Sequence, residues 1–124
     1  MRNEVKLKIQ TSLQDQIDLG GMQIEDNELQ AIVREIIKLK PNLNDLFLNN
    51  NKIGDEGAKI IGREFESLKH LHSLDLQFNQ IDEVGAKAIY RLKKNNPHLK
   101  IAFHGNKIFN ASIMHAIETS ATKK

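Results

Sequence analysis

The sequence predicts an α/β fold: a short solenoid of about four stacked strand–helix repeats, with a parallel sheet on the concave face and helices on the convex face. Two observations predict it. An apolar motif recurs with a nearly constant period, and between its copies the apolar spacing changes from alternation to the three-and-four spacing of a helix. The motif is clearest as Leu43, Leu46, Leu48, Asn51 and Ile53, and it returns as Leu71, Leu74, Leu76, Asn79 and Ile81, 28 residues later. A third copy carries Ile101, Phe103, Asn106 and Ile108, with Asn106 27 residues after Asn79 and Leu99 one residue nearer its asparagine. A weaker copy upstream has Ile17, Leu19 and Ile24, with Met22 in the asparagine slot 29 residues before Asn51.

The elements follow in order. Residues 1–12 form an N-terminal cap, in which Val5, Leu7 and Ile9 alternate with lysine and point to a short strand; a short amphipathic helix is the alternative. Repeats are expected over 13–40, 41–68, 69–96 and 97–120, with a tail over 121–124 and fraying from residue 119. In the first repeat, Leu29, Ile32, Val33 and Ile36 share a helical face, opened by the acidic run Glu25-Asp26-Asn27-Glu28 that suits a helix N-terminus. Ala58, Ile61 and Phe65 form the second helical face, Ala86, Ile89 and Leu92 the third, and Ile113, Ala116 and Ile117 the last. The pairs Gly57-Ala58 and Gly85-Ala86 fit helix starts that approach the sheet closely, where larger side chains would hold the layers apart.

Composition narrows the function. At 124 residues the chain fits one domain, and 40% hydrophobic with 27% charged residues is ordinary for a globular protein. The net charge of +2 is scattered along the chain, which argues against nucleic acid as a partner. No window approaches the roughly 20 apolar residues of a membrane span, and MRNEVKLKIQ lacks the apolar stretch of a secretory signal. With no cysteine there is no disulfide, thiolate metal site or cysteine nucleophile, and a cytoplasmic location is expected.

No catalytic, cofactor-binding or metal-binding residue emerges. His70 and His72 are separated by one residue, without the spacing of a zinc motif. Ser73 and Asp75 lie beside His72, but no nucleophile elbow surrounds them. The segment Gly54-Asp55-Glu56-Gly57-Ala58-Lys59 lacks Walker spacing and is too short for a calcium loop. The chain is therefore expected to be no enzyme.

The pattern LxxLxLxxNxI, followed by helices containing GDEGAKII (54–61) and DEVGAKAI (82–89), resembles the leucine-rich repeats of the ribonuclease-inhibitor type over about residues 13–120. The resemblance implies that Asn51, Asn79 and Asn106 form an inward structural ladder. An asparagine both donates and accepts hydrogen bonds, which suits a turn with unpaired backbone groups. Bacterial ubiquitin ligases with such repeats need a cysteine that this chain lacks. Its compositional style, rich in lysine, isoleucine and asparagine, is similar to that of effectors from intracellular bacteria such as Legionella, which implies delivery into a host cytosol.

Side chains alternate along a strand, so the outward positions should form columns on the concave face. These are Gln16, Asp45, Ser73 and Lys100; Asp18, Phe47, Asp75 and Ala102; Gly20, Asn49, Gln77 and His104; and Gly21, Asn50, Phe78 and Gly105. Phe47, an aromatic flanked by the carboxylates of Asp18 and Asp75, is the expected anchor for a partner protein. Asp45, Asn49, Gln77, Lys100 and His104 complete the candidate binding set, and Phe78 either joins it or tucks under the turn. The resemblance implies a protein-binding module, monomeric alone, that inhibits or regulates a partner enzyme by covering it. Regulation of a small GTPase and a scaffold fragment are the alternatives.

Overall fold

The computed structural model describes residues 1–122. In chain order the elements are helix α1 (Asn3–Thr11), strand β1 (Gln16–Asp18), α2 (Asp26–Leu39), β2 (Asp45–Phe47), α3 (Asp55–Glu64), β3 (Ser73–Asp75), α4 (Glu83–Tyr90), β4 (Lys100–Ala102) and α5 (Ala111–Thr122). Short 3-10 turns, Phe65–Ser67 and Arg91–Lys94, extend the C-terminal ends of α3 and α4. The strands pair in parallel in the order β1-β2-β3-β4, so α2, α3 and α4 are each a crossover between neighbouring strands.

Strand register builds the core. Ile17, Leu46, Leu74 and Ile101 align across the sheet. Leu19, Leu48, Leu76 and Phe103 follow two residues on, and all but Ile101 are buried. Opposite them lie the apolar faces of α2 (Leu29, Ile32, Val33, Ile36), α3 (Ala58, Ile61) and α4 (Ala86, Ile89). Phe65 and Leu92, at the expected helical spacing, are buried from the 3-10 turns instead. Burying a large aliphatic side chain contributes about 1.5–3 kcal/mol, so these columns supply most of the cohesion between repeats.

The turns after the strands are held by asparagine side chains. Asn51 Nδ2 donates to Leu19 O and Leu48 O, both at 3.0 Å, while its Oδ1 accepts the N–H of Ile24 at 2.9 Å and of Met22 at 3.1 Å. Asn79 repeats this with Leu48 O, Leu76 O and the N–H of Ile53. Asn106 repeats it with Leu76 O, Phe103 O and the N–H of Ile81. Each asparagine thus ties its own turn to the turn of the preceding repeat. Met22 fits the same rule, because the first repeat has no preceding turn for an asparagine to hold.

A second ladder runs along the helix starts. Asp26 Oδ1 accepts the N–H of Gly54 at 2.7 Å, and Asp55 Oδ1 accepts those of Asp82 at 2.8 Å and Gly85 at 3.0 Å. Each aspartate satisfies backbone donors at the start of the next helix, where the helix dipole also favours negative charge. This corrects the expected reason for Gly57 and Gly85. A Cβ at Gly85 would stand 2.5 Å from Asp55 Oδ1 and 2.7 Å from Ile81 Cγ2, and one at Gly57 would meet Asp26 in the same way. The crowding comes from the preceding repeat's carboxylate and the adjoining isoleucine, as well as from helix-to-helix contact with Ala58 at 3.0 Å in the case of Gly85.

The N-terminal cap is a helix, not a strand. Val5 and Ile9 are buried four residues apart on one face of α1, while Leu7 between them is 59% exposed. The alternation with lysine carried two signals, and the helical one prevailed because α1 packs across α2 and β1 rather than pairing with the sheet edge. Two cations fasten it. Arg2 Nε donates to Glu28 Oε2 at 2.8 Å and Nη2 to Met22 O at 2.6 Å. Lys40, buried at the end of α2, donates from Nζ to Ser12 O at 2.7 Å, beside the C-terminus of α1, where a cation is favoured.

At the other end, α5 continues through Thr122, and Ala121 is buried. The fraying expected from residue 119 is therefore corrected over 119–122; Lys123 and Lys124 of the expected tail lie outside the described residues. The buried face of α5 is carried by Ile117 and Ala121, with Met114 half-buried, whereas Ile113 and Ala116 are exposed. No buried side-chain nitrogen or oxygen among the described residues lacks a hydrogen-bond partner. None of the described helices is long and apolar enough to cross a membrane.

Candidate protein-binding surface

Register sets the concave face. Gln16, Asp45, Ser73 and Lys100 form one row across the sheet, and Asp18, Phe47, Asp75 and Ala102 form the next. Phe47 is half-buried in β2, with Asp18 directly across in β1 and Asp75 directly across in β3. A single aromatic therefore sits between two carboxylates in the middle of the sheet.

Local bonds hold both carboxylates. Asp18 Oδ1 accepts the N–H of Gly20 at 2.9 Å. Asp75 Oδ1 accepts the N–H of Gln77 at 3.0 Å and its side-chain Nε2 at 3.2 Å. These short turns fix where each carboxylate points, and they also draw the Gln77 amide toward Asp75. The side chain of Asn49 lies over Gly20, where a Cβ would be 3.0 Å from its Oδ1. Asp45 is half-buried, whereas Lys100 and His104 are exposed in the last repeat.

The fourth column has a shared backbone property that sequence reading missed. Gly21, Asn50, Phe78 and Gly105 all have positive φ, of 67°, 57°, 57° and 83°. Each precedes the asparagine slot or its Met22 counterpart, where the chain turns out of the strand. Glycine and asparagine tolerate this left-handed conformation, and phenylalanine does so at a cost. Phe78 does not tuck under the turn: it is 50% exposed, its ring covers Gly105, and it meets the His104 ring edge-on at 5.7 Å. The glycine–asparagine bias of the column was the available signal.

His70 and His72 are both exposed, and among the described residues no cluster of three or more histidine, aspartate or glutamate side chains is placed to hold a metal ion. Tyr90, whose hydroxyl is shifted upward by burial and by the charge of Glu118, packs edge-on against Phe103 at 5.9 Å, away from the concave row.

The four parallel strands with their alternating helices constitute a leucine-rich-repeat fold, a class that generally serves as a protein-interaction module. Residues 40–62 and 67–89 match the family model described as Leucine Rich repeat. Among solved structures, the chain is similar to the leiomodin-1 actin-binding site 2, with a TM-score of 0.75 and 20% identity. That similarity covers 93% of this chain and 69% of the leiomodin chain. No curated protein matches the chain in sequence.

Proposed function

We propose that the chain binds a partner protein through its concave face, with Phe47 as the anchor and Asp18 and Asp75 orienting a basic surface on the partner. The observation that carries this reading is the row Asp18–Phe47–Asp75, an aromatic in register with a carboxylate on each side. Aromatic residues concentrate binding energy, while flanking charges favour correct encounter. Asp45, Asn49, Gln77, Phe78, Lys100 and His104 would complete the contact.

The sheet face alone spans on the order of 240 Å² in plan, from strand spacings of about 4.8 Å and rises of about 3.3 Å. Specific interfaces bury about 800 Å² per partner. The turns from Asn49 to Asp55, from Phe78 to Glu83 and from His104 to Asn110 must therefore contribute, and an inserted loop of the partner suits the geometry. Such a loop fits the finer reading, in which the chain masks an enzyme or another effector and so inhibits or regulates it. The leiomodin-1 region is an actin-binding site, so actin belongs among the partners tested.

The test compares wild type with Phe47→Ala, first in partner capture and then in affinity measurements on each captured protein and on actin. A loss of at least tenfold in affinity is expected, equivalent to about 1.4 kcal/mol. Unchanged affinity for every partner would remove Phe47 from the binding site.

A further inference from the structure

The two ends of the sheet are not alike. At the β1 end, α1 lies over the first repeat with Val5 and Ile9 buried. At the β4 end no further strand pairs with the sheet among the described residues. Lys100 N–H donates to His72 O at 2.9 Å, Ala102 O accepts from Leu76 N–H at 2.8 Å, and His104 O accepts from Phe78 N–H at 2.9 Å. Successive residues of a strand turn their backbone groups to opposite sides, so those of Ile101 and Phe103 face away from β3.

The asparagine ladder stops at the same end. Ile24, Ile53 and Ile81 each donate their N–H to the asparagine of the next repeat, and Ile108 holds the same register in the last described repeat. Behind the open edge, between β4 and α5, is a groove of about 530 Å³. Its apolar lining includes Tyr90, Ile101, Phe103, Ile108, Phe109 and Met114, and Phe109 is 91% exposed.

Charge indicates what this end accepts. Lys100 on the edge strand and Lys107 in the turn after it are exposed, and Glu118 is the one acid among the described residues that line the groove. Lysine on an edge strand opposes pairing with a second copy, whose own lysines would be brought alongside. The same lysines attract a partner strand that carries carboxylates.

We propose that the β4 edge takes an extended segment of a partner protein as a fifth strand, its alternate apolar residues entering the groove and a carboxylate falling opposite Lys100. Backbone pairing with Ile101 and Phe103 supplies affinity, and the groove and Lys100 supply selection. This surface adjoins the concave face and shares Lys100 and His104 with it, whereas its backbone donors and acceptors, those of Ile101 and Phe103, take no part in the concave row.

The probe is a synthetic peptide of alternating valine and threonine with a glutamate before the first valine. Amide hydrogen exchange of the whole chain, read by NMR, should slow at Ile101 and Phe103 by about tenfold or more when the peptide is added. N-methylation of the peptide's pairing amides should abolish the effect, and Lys100→Glu should shift the preference to a peptide with lysine in place of the glutamate. Three results would overturn the proposal: no slowing at millimolar peptide, equal slowing with the N-methylated peptide, or slowing without peptide that grows with protein concentration. The last would mean that a second copy covers the edge. Because the readout is at Ile101 and Phe103, failure here leaves the concave-face reading intact.

Discussion

Phe78 occupies a backbone slot that suits glycine or asparagine, and it does so while half-exposed. A bulky side chain in the left-handed region costs roughly 1–2 kcal/mol. Replacing Phe78 with asparagine, the residue found at the equivalent position 50, should therefore raise stability by about 1 kcal/mol in urea unfolding. If Phe78 belongs to the binding surface, the same variant should bind its partner more weakly; a stabilised variant with undiminished affinity would show that the ring has no such role. Asn79 is the opposite case, a buried polar residue bound to both its own and the preceding turn. Asn79→Leu would leave the Ile53 N–H without its partner and would remove one of the two asparagine donors to each of the carbonyls of Leu48 and Leu76, and it should lower stability by roughly 2–4 kcal/mol. A mutant that melts unchanged would refute the ladder's energetic role. The asparagine triplet 49–51 shows the same divergence among neighbours: Asn51 holds the turn, Asn49 lies on the concave face, and Asn50 adopts the left-handed conformation that ends the strand.

Among the elements, the helix starts and the N-terminal cap depend on carboxylates placed by tertiary contact. Burial alone would raise the Glu28 carboxyl, but hydrogen bonds from Arg2 and from the Glu25 backbone outweigh it, and the net shift is downward. A carboxylate with a depressed folded value contributes stability above its unfolded value of about 4.3 and loses it as pH falls through the folded value. Glu28→Gln should thus destabilise the fold modestly at neutral pH, by about 1 kcal/mol given the partial exposure of Arg2, and should flatten the acid limb of a pH–stability curve. An acid limb identical to wild type would exclude Glu28 from the cap's energetics. Asp55→Ala tests the second ladder, since it leaves the N–H groups of Asp82 and Gly85 unpaired by side chain; about 1 kcal/mol should be lost in chemical denaturation. Neither ladder rung was visible as such in the acidic run or in GDEGAKII, because each aspartate caps a helix some 27 to 30 residues away.

At the scale of the whole molecule, each repeat touches its neighbours, and the leucine columns are continuous from β1 to β4. So short an array should unfold in one cooperative step, and urea curves followed by helicity and by the Tyr90 signal should coincide. Separate midpoints would mean that the α5 end opens independently. The strand rows, the helical faces and the asparagine slots were legible in the sequence because period and alternation are local properties, written within a few residues and then repeated. The concave columns followed from the same alternation, down to the Asp18–Phe47–Asp75 register. The ends were less legible. Val5, Leu7 and Ile9 fit a strand until α2 and β1 are present to bury two of them and leave the third outside, and residues 119–122 look frayed until Ala121 finds cover. Repetition in the chain specifies the solenoid, since no repeat can bury its leucines alone. Packing between distant residues determines how the solenoid is closed at α1 and which carboxylate satisfies which helix, because each of these depends on a partner supplied by another part of the chain.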